Sequence, residues 1–151
     1  MILGIGTDLA SIERVAEVLE KHDTRFIGRC FGAEEQQKVE KLAEGAAHLR
    51  AAGYAKRWAA KEACAKALGL GIRDGIHLKD IVVVNNPDGQ PQLVLSGGAK
   101  DRLTVITPQG MTAQVYVSLT DEVSEEKPGT GMALAFVIIS AENKNDTGTK
   151  G

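Results

Sequence analysis

The residues best suited to chemistry lie in one basic stretch near the middle of the chain, Arg57 to Leu68, with the sequence RWAAKEACAKAL. If this stretch is helical, Glu62 and Lys66 are four residues apart and are neighbours on its surface. It then presents one carboxylate among three cations, Arg57, Lys61 and Lys66. Carboxylate oxygens bind Mg²⁺, whose other ligands are often water and phosphate, and basic side chains neutralise phosphate charge. The pattern suits a site that holds a metal ion and a polyphosphate together.

Each carboxylate in this hypothesis also has an ordinary interpretation. Glu62 and Lys66 have the spacing of an exposed helix ion pair, worth about 0.2–0.5 kcal/mol. Asp8 follows an apolar segment, where it is either a metal ligand or acid–base group at a strand end, or a cap for the helix that follows. Taken singly, the spacings favour the ordinary interpretation in both cases.

Two elements must position these side chains. Residues Ile2 to Asp8 are predicted to form a buried strand, in which Gly4 and Gly6 allow another backbone to approach closely. Residues Tyr54 to Leu68 are predicted to form a helix that Gly69 ends. Its small residues lie on one side and let it pack close to a sheet or a helix; they are Ala59, Ala60, Ala63 and Ala67.

The remaining pattern predicts an α+β fold, with helices mainly in the first half packed on an antiparallel sheet. Ser11 is predicted to cap a helix, and Gly45 and Gly53 to loosen the chain before Tyr54, with continued helix between them as the alternative. The other predicted helices are Thr24–Phe31, Ala33–Glu44 and one capped by Ser96; the other strands are His77–Val84, Gln92–Leu95, Thr112–Thr120 and Met132–Ser140, with a polar loop at Asp121–Gly131. We expect one domain over residues 1–141 and a disordered tail over 142–151.

The composition excludes several classes of protein. The 151 residues are 43% hydrophobic and 25% charged, as in ordinary globular domains, and the net charge of −2 gives no general attraction to nucleic acid. No apolar run approaches the roughly 18 residues of a membrane span, and the N-terminus is unlike a signal peptide. Cys30 and Cys64 form no CxxC pair. We expect a cytoplasmic protein that binds neither nucleic acid nor membranes.

Two motifs, in this order and at this separation, resemble the holo-acyl-carrier-protein synthase family. The segment 4–9, GIGTDL, is followed by Ile12 and Arg14, and the segment 57–63, RWAAKEA, is followed by KALG at 66–69. The resemblance covers about residues 1–141. It implies the 4′-phosphopantetheinyl transferase fold, and it overrides the ordinary interpretations of Asp8 and Glu62.

The resemblance implies a role for each motif residue. Asp8 and Glu62 would bind Mg²⁺, and Arg14 would lie on the surface that docks an acidic acyl carrier protein. The expected contacts to coenzyme A are Arg57, Lys61, Lys66, Gly69 and Ser118. Members of the family are typically homotrimers with active sites at subunit interfaces.

The implied reaction transfers 4′-phosphopantetheine, in fatty acid biosynthesis. A carrier serine hydroxyl attacks the β-phosphorus of coenzyme A, and adenosine 3′,5′-bisphosphate leaves. Such transfer depends mainly on positioning and charge stabilisation, which Mg²⁺, Asp8 and Lys66 would supply. Glu62 is the candidate base for the serine proton.

One motif departs from the family pattern. Its third motif commonly has His-Val-Ser, an apolar residue, Ser or Thr, and often a second His, whereas residues 116–121 here are YVSLTD. Tyr116 and Asp121 stand where the histidines are expected. Two alternatives therefore stay open: a non-catalytic homologue that binds coenzyme A or a carrier protein, and a transferase of the same chemistry that serves another carrier.

Overall fold

The protein forms five strands and four α-helices within residues 1–144, the part of the chain that the computed structural model describes. The first half contains strand β1 (Ile2–Ser11) and helices α1 (Ile12–Cys30), α2 (Ala33–Ala43) and α3 (Ala47–Ala67). After a short 3₁₀ turn (Leu78–Asp80), the second half contains β2 (Ile81–Asn85), β3 (Pro91–Leu95), α4 (Gly97–Ile106), β4 (Met111–Val123) and β5 (Gly131–Asn143). The predicted α+β layout is confirmed.

The strands form an antiparallel sheet of order β1-β5-β4 and a separate β2–β3 hairpin. Asp8 lies opposite Ala135 and Ala135 opposite Leu119, so these three side chains share one face of the sheet. This inner face packs against α3 and is lined by small residues. The buried ones on β1 and β5 are Gly6, Ala10, Ala133, Ala135 and Ala141.

Helix α3 and strand β1 approach each other to backbone contact. A Cβ atom at Gly4 would overlap the carbonyl oxygen of Ala67, and one at Gly6 would overlap that of Ala63. Ala59, Ala60 and Ala63 are fully buried on α3. The two small-residue patterns of the sequence therefore meet, and the missing side chains are what allows the sheet and the helix to touch.

Helix α1 contains both of the helices predicted for this region. The Ser11 hydroxyl accepts a hydrogen bond from the Arg14 backbone N–H at 3.2 Å, which confirms Ser11 as the cap. The helix is interrupted at His22, whose φ of −139° and ψ of 19° are not helical. The kink explains why the apolar spacing indicates two helices, one on each side of it.

Helix α3 is longer than predicted, because it begins at Ala47 and includes Gly53. A Cβ at position 53 would lie 3.0 Å from a methyl carbon of Val39. Gly53 is thus a contact point at which α2 packs closely on α3, and the prediction that it loosens the chain is wrong.

The second half of the chain differs from the prediction at the ends of three strands and at one helix cap. Strand β2 begins only at Ile81, because the Asp80 carboxylate accepts from the His77 backbone N–H at 3.0 Å and holds a 3₁₀ turn before it. Ser96 precedes α4 without capping it through its side chain. Strand β4 continues to Val123, so the predicted polar loop at Asp121–Gly131 is shorter. Strand β5 includes 142 and 143, which shortens the predicted tail; residues 145–151 lie outside the described part.

Among the described residues, no helix combines the length and the apolar character that crossing a membrane requires.

The contact between β1 and α3 predicts a large effect of one methyl group. Gly6→Ala should lower the free energy of unfolding by about 3 kcal/mol, because the added carbon overlaps helix backbone that cannot rotate away. Urea denaturation measures this. Gly28→Ala is the matched control, since Gly28 lies exposed in α1 with no atom near its missing Cβ, and it should raise stability by about 0.5–1 kcal/mol. Equal effects of the two substitutions would contradict the steric account.

Candidate active site

Asp8 and Lys66 form the centre of the candidate site. The Lys66 ammonium donates to Asp8 Oδ1 at 2.7 Å and to the Thr7 carbonyl oxygen at 2.9 Å. The Asp8 side chain is 16% exposed and that of Lys66 is 50% exposed, so the pair lies at the surface end of the contact between β1 and α3. Asp8 is not a helix cap, because Ser11 performs that role.

Glu62 lies on α3 beside this ion pair. Partial burial raises the pKa of Glu62, the negative charge of Asp8 raises it further, and Lys66 opposes the shift. The two carboxylates are therefore close enough to repel each other. The ion pair of Lys66 is made with Asp8, so the interpretation of Glu62 and Lys66 as an isolated helix pair is wrong.

The site has the charge and the oxygen atoms that a hard divalent cation requires. Asp8 and Glu62 supply carboxylate oxygens, and their mutual repulsion favours a cation between them. Within residues 1–144, no group of three or more His, Cys, Asp or Glu side chains could hold a metal ion. A metal here would take its other ligands from water or from a substrate, which is how Mg²⁺ is commonly bound.

Lys61 is not part of this site, which corrects the expectation that it contacts phosphate. Its side chain is fully buried, and its ammonium donates to Glu35 Oε2 at 2.8 Å and to the carbonyl oxygens of Leu78 and Ile81. These bonds use all three hydrogens of the ammonium. The adjacent residues Lys61 and Glu62 differ by about 100° around the helix axis, so they face different surroundings.

Arg57 is also nearly buried, at 7% exposure. It donates from Nη1 to the Gly53 carbonyl oxygen at 3.2 Å, while its buried Nε has no partner among the described residues. Burial lowers the pKa of Arg57, and the charge of Glu35 partly opposes this. A guanidinium with an unused buried donor is suited to an anion, and its predicted contact to phosphate stays a prediction.

Gly69 follows the last turn of α3 with a φ of +84°, a conformation that glycine adopts at little cost. Its N–H donates to the Lys66 carbonyl oxygen at 2.9 Å and closes the helix end. Arg102 of α4 lies at the same place and donates from Nε to the Leu68 carbonyl oxygen at 3.0 Å. Sequence analysis missed Arg102, because nothing in the local pattern indicates that α4 packs on the end of α3.

The structure does not bring Ser118 to Asp8 within one chain. Ser118 lies opposite Phe136, and Phe136 opposite Thr7, so its side chain is on the outer face of the sheet. Tyr116 is on the same outer face and is 52% exposed. Asp121 is on the inner face and forms an ion pair with Lys56 of α3 at 2.9 Å. The two positions at which histidines were expected therefore point to opposite faces.

Arg14 lines a cavity of about 320 Å³ between the end of β1 and helix α1. The apolar side chains Val18, Phe26 and Trp58 line this cavity and also a neighbouring one of about 310 Å³. Arg25 and Arg29 line the second cavity. We call these two cavities, with their three arginines, the α1 surface.

Comparison with known proteins gives consistent results. The sequence model of the 4′-phosphopantetheinyl transferase superfamily matches residues 4–119. A holo-[acyl-carrier-protein] synthase of Rhodopseudomonas palustris strain TIE-1 is 52% identical over 141 residues, which cover 93% of this chain and 91% of that protein. The synthase of strain HaA2 is 48% identical over 149 residues, which cover 99% of this chain and 100% of that protein.

Solved structures of such synthases share the fold. The enzyme of Neisseria meningitidis superposes with a TM-score of 0.69 at 32% identity, covering 93% of this chain and 99% of that one. The Helicobacter pylori enzyme in complex with coenzyme A superposes with a TM-score of 0.68 at 25% identity, covering 90% and 99%. The chain therefore belongs to the holo-[acyl-carrier-protein] synthases of the 4′-phosphopantetheinyl transferase superfamily.

Proposed function

We propose that the protein transfers 4′-phosphopantetheine from coenzyme A to a serine of apo acyl carrier protein, with Mg²⁺ bound by Asp8 and Glu62. The observation that carries this proposal is the meeting of Asp8, Glu62 and Lys66 where β1 crosses α3. Two repelling carboxylates and a partly exposed lysine provide a place for a cation and a pyrophosphate. The relatives' names and the coenzyme A bound to the Helicobacter pylori enzyme support the same chemistry.

In the proposed reaction, the serine oxygen forms a bond to the β-phosphorus of coenzyme A. The bond from that phosphorus to the oxygen of adenosine 3′,5′-bisphosphate breaks, and the serine proton must be removed. When bound, Mg²⁺ would neutralise charge that develops on the pyrophosphate. Lys66 would add a second positive charge there, since half of its side chain is exposed and can reach a substrate.

Glu62 is the candidate base. Its carboxylate lies beside Asp8 and Lys66, so it is placed to accept the serine proton. Arg57, whose buried Nε has no partner among the described residues, would be a phosphate contact as the family resemblance implies.

The α1 surface is the proposed docking site for the carrier protein. Arg14, Arg25 and Arg29 are exposed around its apolar cavities. A partner with acidic side chains around an apolar patch would complement this surface, because charge pairs steer the encounter and apolar contact holds it. The acidic carrier protein expected for this family fits that description.

We also propose that the protein is a homotrimer, whose copies cover the outer face of the β1-β5-β4 sheet. This face exposes large apolar side chains, which soluble monomers seldom display together. They are Ile5, Leu9, Met132, Leu134 and Phe136, each at least 39% exposed. Ser118 lies on the same face, so it would contact the coenzyme A that is bound to a neighbouring copy.

We place the reaction in the cytoplasm. Cys30 and Cys64 are buried, unpaired thiols, as is common in a reducing compartment. Burial raises the pKa of Cys64 to about 12, which leaves it chemically inert. The replaced histidines motivate one alternative, a homologue that binds coenzyme A without reaction. The retained carboxylate pair favours the enzyme.

The reaction can be tested by intact-mass spectrometry of apo acyl carrier protein incubated with this protein, coenzyme A and Mg²⁺. We expect a gain of one phosphopantetheine, which a chelator abolishes. Asp8→Ala and Glu62→Ala should each slow transfer at least about 10²-fold, because each removes a charge from the cation site. The control is Asp101→Ala, which removes an exposed carboxylate from α4 and should be fully active. Coenzyme A binding without any mass gain would instead support the non-catalytic homologue.

Removal of one arginine from the α1 surface should affect the carrier more than the cofactor. Arg14→Ala is expected to raise the KM for the carrier protein about 3- to 5-fold, the effect of one exposed charge pair, with the KM for coenzyme A unchanged. Lys38→Ala removes an exposed charge from α2 and serves as the control. An unchanged KM for the carrier would show that Arg14 is not part of the docking surface. Steady-state kinetics at two ionic strengths provide the measurement.

A charge on the outer face of the sheet should prevent assembly. Phe136→Glu is expected to give monomers by light scattering, and to lose most of the transfer activity if neighbouring copies complete the site. Val94→Glu is the matched control, since Val94 is 52% exposed on β3 and lies outside this face. The Val94→Glu variant should assemble like the wild type. A wild-type protein that is monomeric at micromolar concentration, or a trimeric Phe136→Glu variant, would contradict the proposed interface.

A further inference from the structure

The strongest polar cluster in the described chain is the buried pair of Glu35 and Lys61, which the proposed reaction does not use. Both side chains are 0% exposed, and Lys61 Nζ lies 2.8 Å from Glu35 Oε2. The ammonium also donates to the carbonyl oxygen of Leu78 at 3.1 Å and to that of Ile81. Its three donors therefore have three acceptors in fixed directions.

The carboxylate of Glu35 accepts three hydrogen bonds in all, one of them from Lys61. Its Oε2 also accepts from the Gly32 N–H at 2.8 Å, at the start of α2, and its Oε1 accepts from the Val83 N–H at 3.1 Å, in β2. One pair of side chains thus joins helix α3 to the start of α2, to the 3₁₀ turn and to β2. No donor of Lys61 is left for a substrate.

Stability alone does not account for this arrangement. Removing two charges from water costs free energy, and their mutual attraction offsets only part of that cost. Well-packed apolar residues in the same place often give equal or greater stability. The pair provides hydrogen bonds with fixed directions, which an apolar contact does not. Because three hydrogen bonds hold its ammonium, and two more hold the Glu35 carboxylate, the Lys61 side chain fixes the rotation of α3 about its own axis.

On the side of α3 that faces β1, the polar restraints are the hydrogen bonds of the half-exposed Lys66 to Asp8 and Thr7. There the helix lies on Gly4 and Gly6 through Ala63 and Ala67, a close contact without interdigitating side chains. Lys61 is about 160° away from Ala63 around the helix, so it restrains the side that faces away from β1. Glu62 follows directly in sequence, and any rotation of the helix at Lys61 moves its carboxylate relative to Asp8.

We propose that Glu35 and Lys61 are positioning residues for the metal site: they fix the rotation of α3 so that Glu62 faces Asp8. The inference rests on the proposed function, because it concerns the same pair of carboxylates. Residues that orient metal ligands without touching the metal typically affect metal affinity about 10- to 100-fold. A purely structural pair would instead affect only stability.

The test compares the double variant Glu35→Gln/Lys61→Met with Val39→Ala. The double variant removes both charges and keeps an acceptor oxygen at position 35. Val39 is 1% exposed in the packing of α2 against α3, so its truncation destabilises the same region while both charged side chains stay in place. Melting temperatures are measured without metal, and Mn²⁺ binding is measured by electron paramagnetic resonance with coenzyme A present.

We expect the double variant to unfold cooperatively and to bind Mn²⁺ about 10- to 100-fold more weakly, with the Mg²⁺ concentration for half-maximal transfer raised by a similar factor. Val39→Ala should lower the melting temperature and keep the Mn²⁺ affinity of the wild type. If the double variant does not fold, Glu35→Asp decides, because it keeps both charges and shortens the side chain that holds Lys61, and weaker Mn²⁺ binding is again expected.

Mn²⁺ affinity in these variants equal to that of Val39→Ala would overturn the proposal. The measurement also separates this inference from the reaction itself. A wild-type protein that binds Mn²⁺ but leaves the carrier unmodified would refute the proposed function, while the comparison of variants would still decide the role of the pair. A wild-type protein that binds no Mn²⁺ would refute both.

Discussion

The backbone contact between β1 and α3 is the constraint on which the candidate site depends. Gly4 and Gly6 lie against the carbonyl oxygens of Ala67 and Ala63, so strand and helix are as close as their main chains permit. Only at this separation does the ammonium of Lys66 reach both the Asp8 carboxylate and the Thr7 carbonyl oxygen. A larger residue on either side would separate the groups that the chemistry needs together.

The same contact creates an electrostatic problem. Bringing β1 onto α3 places Asp8 next to Glu62 in a partly buried setting, where like charges repel more strongly than in water. Lys66 relieves part of this repulsion, as its opposing effect on the pKa of Glu62 indicates. A divalent cation would relieve more of it.

Local patterns in the sequence were sufficient for much of the architecture. The cap at Ser11, the alanine side of α3 and the glycines of β1 each depend on neighbouring residues, and each was predicted correctly. Long-range packing decided the rest. Gly53 lies inside α3 where Val39 of α2 packs against the helix, and β4 extends to Val123 because β5 pairs with it. The burial of Lys61 was unpredictable in the same way, since its partner Glu35 is 26 residues distant.

The basic residues of α3 have different surroundings because they point in different directions around the helix. Lys56 pairs with Asp121 of β4, Arg57 lies buried with an unused donor, Lys61 pairs with buried Glu35, and Lys66 reaches Asp8 at the surface. In the sequence these are similar cations within three helical turns. Neighbouring residues are about 100° apart around the helix, so Arg57 and Lys61 lie on one side of it and Lys66 on another. Similar charges therefore meet different surroundings, and the orientation of α3 decides which of them reaches Asp8.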